Sequence, residues 1–119
     1  MHIDEHPYSP AFIVGDHCYV SGSLSVDSEG APVRGRRSAL DAAIARMVER
    51  LSTVGMDISN VVKLTYFVTD ISLRSEANAQ LAHLFVSRRP ARSFVEVSAL
   101  PYGASVEIDA IAVRPGAER

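Results

Sequence analysis

The chain contains 119 residues, of which 47% are hydrophobic, and carries a formal net charge of −2. This length and composition predict one soluble globular domain over residues 1–119, large enough to bury a core without disulfides or metals. The charge argues against a broad basic surface for nucleic acid, the single cysteine excludes an intrachain disulfide, and no apolar run approaches the roughly 20 residues of a membrane span.

Two short runs rich in β-forming residues come first. Ala11–Val14 and His17–Ser21 flank Gly15-Asp16, a pair that suits a two-residue hairpin turn, and Gly22 is predicted to end the second run. The polar segment before them lacks the regions of a signal peptide. Together with the lone Cys18, this favours a cytoplasmic protein.

The clearest predicted helix follows. Apolar residues recur at spacings of three and four, namely Leu40, Ile44, Met47 and Leu51. Ser38 is a candidate N-cap and Gly55 a candidate C′ residue. The other side of the helix is charged, so we expect a single buried stripe.

The second half of the chain predicts one helix and three strands. Val61–Val68 is a strand by its β-branched and aromatic content, a helix runs from about residue 72 to residue 85, and Ser93–Val97 and Ser105–Val113 are the last strands. The order β-β-α-β-α-β-β predicts an α+β fold, in which two helices pack on one face of a single mixed sheet.

The other face of this sheet is predicted to be half apolar. In the last strand, Val106, Ile108 and Ala110 share one face, yet Ile111 and Val113 lie on the opposite one. A half-apolar sheet face that no helix covers favours burial against another copy of the chain. We therefore expect a homo-oligomer.

Two charged residues are candidates for chemistry. Arg92 lies near a strand start, and Glu107 lies in the most apolar strand with Asp109 on the same face. Each is first interpreted as a solvated charge. Alternatively, both point into a cleft between subunits, where Arg92 binds a carboxylate and Glu107 orients or deprotonates water. An arginine near Glu107 would favour its ionised form. The spacing of His, Cys and Asp predicts no metal site.

Seven motifs, in order along nearly the whole chain, carry a resemblance. They are Pro7-Tyr8-Ser9-Pro10-Ala11, the segment from Val14-Gly15-Asp16 through Tyr19-Val20-Ser21-Gly22, Val61-Val62-Lys63-Leu64-Thr65 through Val68-Thr69-Asp70, Asn78, Pro90-Ala91-Arg92-Ser93-Phe94-Val95-Glu96-Val97, Leu100-Pro101 and Val106-Glu107-Ile108-Asp109-Ala110-Ile111-Ala112. This pattern resembles the signatures of the Rid (RidA/YjgF) family of reactive intermediate deaminases.

The resemblance implies a fold similar to bacterial chorismate mutase and a homotrimer with its sites at the subunit interfaces. It also implies hydrolytic deamination of small enamines and imines, of the 2-aminoacrylate or 2-iminobutyrate type, to 2-keto acids and ammonia. It implies no metal or organic cofactor. Arg92 matches the family arginine that holds the substrate carboxylate, and Glu107 matches the glutamate that positions water. Positions matching residues that line the site from the neighbouring subunit are Tyr8, Ser21, Gly22 and Asn78.

Two departures from the family pattern leave the substrate open. Ser23 stands where glutamine is frequent, and Phe94 stands where a smaller residue is common. If Phe94 reaches the substrate-binding pocket, it narrows the pocket or favours an apolar substrate side chain. The alternatives are a non-enzymatic binding trimer, a pathway-specific deaminase or hydrolase for another imine, and RNA cleavage, which the negative charge disfavours. The presence of Arg92 favours an enzyme over a pure binding module.

Overall fold

The computed structural model describes residues 6–114. The strands are β1 (Ala11–Val14), β2 (His17–Leu24), β3 (Val61–Val68), β4 (Ala91–Glu96) and β5 (Val106–Val113), and the helices are α1 (Arg36–Ser52) and α2 (Arg74–Leu84). The strands form a sheet of order β1-β2-β5-β3-β4, in which β4 runs parallel to β3 and the other neighbours are antiparallel. The predicted α+β architecture is confirmed.

Both helices pack on one face of the sheet, as the sequence predicts. The apolar stripe of α1 is buried as predicted, and it meets the inward-facing side chains of β2, β3 and β5. The largest fully buried side chains of this core are Tyr66, Leu40, Met47, Leu51, Leu64 and Ile108. Within residues 6–114, neither helix is long and apolar enough to cross a membrane. No three His, Cys, Asp or Glu side chains in the same range are placed to hold a metal ion.

The ends of α1 are set by glycines. Ser38 as the N-cap is wrong, because Gly35 occupies that position with a φ of 96°, and Ser38 lies inside the first turn. A positive φ is accessible to glycine at little steric cost, so the chain turns into the helix earlier than predicted. Gly55 as the C′ residue is confirmed: its φ is 75°, and the N–H of Met56 donates to the carbonyl of Leu51 at 3.0 Å, which completes a Schellman motif.

Other boundaries shift by a few residues. β3 is confirmed at Val61–Val68, whereas β4 lies at Ala91–Glu96, two residues earlier than predicted at its start, because it pairs in register along β3. The second helix is preceded by a 3₁₀ turn at Ile71–Leu73. The carboxylate of Asp70 accepts a hydrogen bond from the N–H of Ser72 at 2.9 Å and caps this turn.

The prediction that Gly22 ends the second strand is wrong, because β2 continues past a β-bulge. The pairs on either side of the bulge are Val20 with Ala110 and Ser23 with Ile108. Ser21 and Gly22 therefore both lie opposite Asp109 of β5. The bulge shifts the alternation of β2, so that Val20 faces the core before it and Ser23, fully buried, faces the core after it.

No element among residues 6–114 covers the sheet face away from the helices. This face presents the half-buried apolar side chains of Phe67, Ile111 and Val113 beside the half-buried carboxylates of Glu107 and Asp109. This mixture matches the half-apolar face predicted from the sequence. The homo-oligomer inferred from it stays a prediction.

Candidate functional site

Arg92 lies on the edge strand β4 and points towards the helices. It pairs with the buried Leu64, and its Nη2 donates to Oδ1 of Asn78 on α2 at 2.8 Å. Its Cζ lies 5.3 Å from the ring centroid of Tyr66 and 5.0 Å from that of Phe94. Two aromatic rings within cation–π distance and one hydrogen bond together orient the guanidinium.

One nitrogen of this guanidinium is left without an acceptor. Nη1 of Arg92 is buried and has no hydrogen-bond partner among residues 6–114. Burial lowers the pKa of Arg92, yet an arginine stays charged in proteins. A cationic group that is held in a fixed orientation beside a cavity suits an anionic ligand. A cavity of about 470 Å³ adjoins it, lined by Asn78, Leu81, Ala82, Phe85, Arg89, Pro90 and Arg92.

Tyr66, beneath Arg92, is held by hydrogen bonds that link the two helices. Its hydroxyl donates to Oε1 of Gln80 at 2.8 Å, and Nε2 of Gln80 donates to Oδ1 of Asp41 at 2.9 Å. Burial raises the pKa of Tyr66 far above its ordinary value, so the phenol remains a donor. The ring of Tyr66 under Arg92 is therefore connected by hydrogen bonds to both α1 and α2.

Glu107 lies on the opposite, uncovered face of the sheet, where it pairs with Phe67 of β3 and Leu24 of β2. Its side chain rests directly on Gly22: a Cβ at position 22 would lie 2.6 Å from Cδ of Glu107 and would overlap its Oε2. Gly22 does not have a positive φ, unlike the glycines of the turns. Glycine is needed here for close approach, because any side chain would displace the carboxylate.

Burial and two charged neighbours act on the pKa of Glu107. Burial raises the pKa of Glu107, the nearby Asp109 raises it further, and Arg50 of α1 lowers it. The arginine that favours the ionised form is thus Arg50 and not Arg92, and its effect is outweighed by burial. Glu107 is therefore a stronger base than an exposed glutamate.

The segment before β1 is tied to the bulge. The N–H of Ser21 donates to the carbonyl of Pro10 at 3.0 Å, and its hydroxyl donates to the carbonyl of Ser9 at 2.5 Å. Tyr8 is half exposed and borders a shallow depression of about 280 Å³ that Ser21 also lines. These contacts place Tyr8 beside the bulge that carries Gly22.

The predicted site residues consequently form two groups in one chain. The group around Arg92 contains Asn78 and Phe94, and the group around Glu107 contains Tyr8, Ser21 and Gly22. The grouping of Asn78 with Tyr8, Ser21 and Gly22 is corrected, because α2 places it against Arg92. Because Arg92 pairs with the buried Leu64 and Glu107 with Phe67, the two groups lie on opposite sheet faces.

Two residues of these groups were not predicted. Tyr66 enters the sequence analysis only as part of the predicted strand Val61–Val68, although its position opposite Phe94 follows once β3 and β4 are paired. Arg50 was interpreted as part of the charged side of α1. Its place at the border of the apolar stripe, next to the buried Leu51, is the weak signal that the sequence offers.

Comparison with known proteins identifies the family. The family model described as Endoribonuclease L-PSP matches residues 3–114. The 2-iminobutanoate/2-iminopropanoate deaminases of Homo sapiens and Bos taurus are 36% and 39% identical to the chain over 110 residues, which cover 91% of this chain and 80% of each relative. The crystal structure of the YjgF gene product from E. coli matches with a TM-score of 0.84 at 28% identity, covering 94% of this chain and 91% of that one. The chain therefore belongs to the YjgF/RidA family.

Proposed function

We propose that the chain is an imine deaminase that converts small 2-imino acids to 2-keto acids and ammonia. Enamines such as 2-aminoacrylate would enter through their imine tautomers. The observation that carries the proposal is the guanidinium of Arg92, which is oriented by Asn78 and two aromatic rings and lines a cavity of about 470 Å³. The relatives named 2-iminobutanoate/2-iminopropanoate deaminase support the same substrate class.

The proposal includes a homotrimer with one site at each subunit interface. One subunit supplies Arg92, Asn78 and Phe94, and its neighbour supplies Glu107 with its surrounding residues. The support is that the two groups lie on opposite sheet faces, so only a second copy can bring them together. A closed ring joins one surface of each subunit to a different surface of the next. A cytoplasmic location is also proposed, and rests on the sequence alone.

In the proposed mechanism, Arg92 binds the substrate carboxylate and Glu107 activates water. Water attacks the C=N carbon as Glu107 takes its proton, and the electron pair of the C=N bond moves to nitrogen. Glu107 then returns its proton to the carbinolamine nitrogen. The C–N bond breaks as the C=O bond forms, ammonia leaves, and Glu107 takes the proton of the carbinolamine hydroxyl. A protonated imine carbon is already electrophilic, so positioning and proton transfer are the main requirements.

Phe94 and the cavity beside Arg92 bear on the substrate side chain. Phe94 packs against Tyr66 with the two rings tilted by 39° and their centroids 5.5 Å apart, and it lies under the guanidinium. We assign it a supporting role for Arg92. The neighbouring cavity has apolar walls at Leu81, Ala82 and Phe85, which suit an aliphatic side chain.

The test is ammonia release from freshly generated 2-aminoacrylate and its longer homologues, with mixed trimers to locate the site. Arg92→Ala trimers should be inactive, and Glu107→Gln trimers should retain at most about 1% of wild-type turnover. Random mixing of equal amounts should restore about a quarter of the sites, because each site takes the two residues from different subunits. The control is Arg92→Ala mixed with the variant that carries both substitutions. It restores no active sites, because no subunit supplies Arg92.

Each part of the proposal has its own contrary result. Absence of turnover by the wild-type protein contradicts the deaminase assignment. A stable monomer at micromolar concentration contradicts the trimer. Mixed trimers that form, as native mass spectrometry would show, but recover no activity contradict the interfacial site.

A further inference from the structure

Arg50 reaches from α1 to the bulge of β2. Its Nη1 donates to the carbonyl oxygens of Ser21 at 3.1 Å and Gly22 at 2.9 Å, and it lies 3.4 Å from Oγ of Ser23. A bulge interrupts the pairing of its strand, so its carbonyl groups need partners from elsewhere. One guanidinium thus holds both carbonyl oxygens of the two residues that form the bulge.

The short side chain at position 23 is part of this arrangement. Ser23 is fully buried, and its hydroxyl donates to the carbonyl of Ser21 at 3.2 Å. A longer side chain there would compete with Arg50 for the same space on the helix side of β2. The short side chain of Ser23 therefore leaves room for the guanidinium of Arg50.

Arg46, one helical turn earlier, shows that this contact is not a general property of arginines on α1. Its Nη2 donates to the carbonyl oxygen of Val26 at 3.2 Å, in the turn after β2, and it makes no hydrogen bond to the bulge. Both arginines are half-buried. Of the two arginines, Arg50 is the one that hydrogen-bonds to the bulge on which Glu107 rests.

We propose that Arg50 is a positioning residue for imine hydrolysis, which holds the Ser21–Gly22 bulge in the shape that seats the carboxylate of Glu107. The inference rests on the proposed function. The seat is defined by Gly22, whose backbone Glu107 covers on one side while Arg50 binds its carbonyl oxygen. Movement of the bulge therefore moves the water-activating group.

Charge supports the same role. The groups that act on Glu107 are Asp109 on its own strand and Arg50 from α1, while its partners on β2 and β3, Leu24 and Phe67, are uncharged. Tyr8 lies near Arg50 from the segment before β1. Because Arg50 lowers the pKa of Glu107 against burial and Asp109, its loss should shift protonation of Glu107 to higher pH.

The test compares Arg50→Met, Arg50→Lys and the matched control Arg46→Met. In Arg50→Met, the acid limb of the kcat/KM profile should move to higher pH, with about a three- to tenfold loss at its acid end. Arg50→Lys keeps the charge and should keep the position of the limb, as should Arg46→Met. The midpoint of a limb does not depend on how much of the enzyme is folded.

A second measurement separates this inference from the proposed function. Carbon-13 NMR of labelled glutamate follows the titration of Glu107 without turnover, so it applies even if the wild-type protein hydrolyses no imine. Arg50→Gln, which keeps an N–H donor without charge, replaces Arg50→Met if that variant does not fold. An unchanged pH profile and an unchanged Glu107 titration in the charge-removing variant would overturn the role. A lowered melting temperature alone would show a merely structural arginine and overturn it as well.

Discussion

Gly22→Ala is the smallest change that tests the seat of Glu107. The alanine Cβ would lie 2.6 Å from Cδ and 3.0 Å from Cγ of Glu107. Because φ at this position is not positive, alanine adds no backbone strain. The effect of the variant is therefore confined to the steric overlap of the new Cβ with the side chain of Glu107. The backbone on the other side is held by Arg50, so we expect the carboxylate to move instead of the strand.

The size of the effect follows from this geometry. Ordinary contact begins near 3.4 Å, so Cδ must move by about 0.8 Å from its present 2.6 Å. A displacement on the order of 1 Å in a catalytic group costs about 10²-fold in rate, or about 2.7 kcal/mol of transition-state stabilisation. We therefore expect kcat for imine hydrolysis to fall about 10²-fold, while affinity for a keto acid such as pyruvate at Arg92 is retained.

The control is a double-mutant cycle with Glu107→Gln, measured by steady-state ammonia release and calorimetric affinity for pyruvate. If Gly22→Ala acts through Glu107, adding it to Glu107→Gln should cost little more, because the base is already gone. Wild-type kcat in Gly22→Ala, or losses that multiply in the double variant, would refute this reasoning.

Two further predictions concern the stability of the protein and the clamp, which is the guanidinium of Arg92 with the rings of Tyr66 and Phe94 beneath it. Glu107→Gln should lower turnover about 10²–10⁴-fold and yet raise the melting temperature near neutral pH. The pKa of Glu107 is raised in the folded protein above its ordinary value of 4.5. Ionisation of Glu107 therefore lowers the free energy of unfolding as the pH rises from 4.5 through the raised pKa, and this loss is absent in the glutamine variant. A glutamine variant that is less stable than wild type at neutral pH would contradict this. Tyr66→Phe removes the hydrogen bond to Gln80 and should lower the free energy of unfolding by about 1 kcal/mol in denaturant. It keeps the ring under Arg92 and should leave KM unchanged, whereas Tyr66→Val removes the ring and should raise KM. Equal KM values for the two variants would exclude the ring from the clamp.

Local pattern was sufficient for the elements whose residues alternate or recur regularly. β3 was predicted residue for residue, and the stripe of α1 was predicted from its spacing. The bulge was missed because Ser21-Gly22 has the composition of a strand end, and only pairing with β5 shows that β2 resumes with its alternation shifted. Ser38 has the side-chain hydroxyl of an N-cap residue, although the φ of Gly35 decides where the chain turns.

Some residues of the candidate site can likewise be predicted from the sequence, and others only from the structure. Arg92 and Glu107 stand out in the sequence because each is a charge beside or within an apolar strand. Arg50 does not, since an arginine on the charged side of a helix is ordinary and its partners are 28 and 29 residues away in the chain. That Arg92 and Glu107 lie on opposite faces follows only from the strand order and register.

The ring of Tyr66 beneath Arg92 also provides an intrinsic spectroscopic probe of ligand binding. The chain contains four tyrosines and no tryptophan. Tyr66 is fully buried, whereas Tyr8, Tyr19 and Tyr102 are about half exposed, at 51%, 46% and 50%. The near-ultraviolet spectrum therefore contains one tyrosine in a rigid apolar setting, 5.3 Å from the cation that is proposed to bind substrate. A carboxylate that neutralises that cation changes the field across the ring, so occupancy of the clamp is readable by difference absorbance without a label.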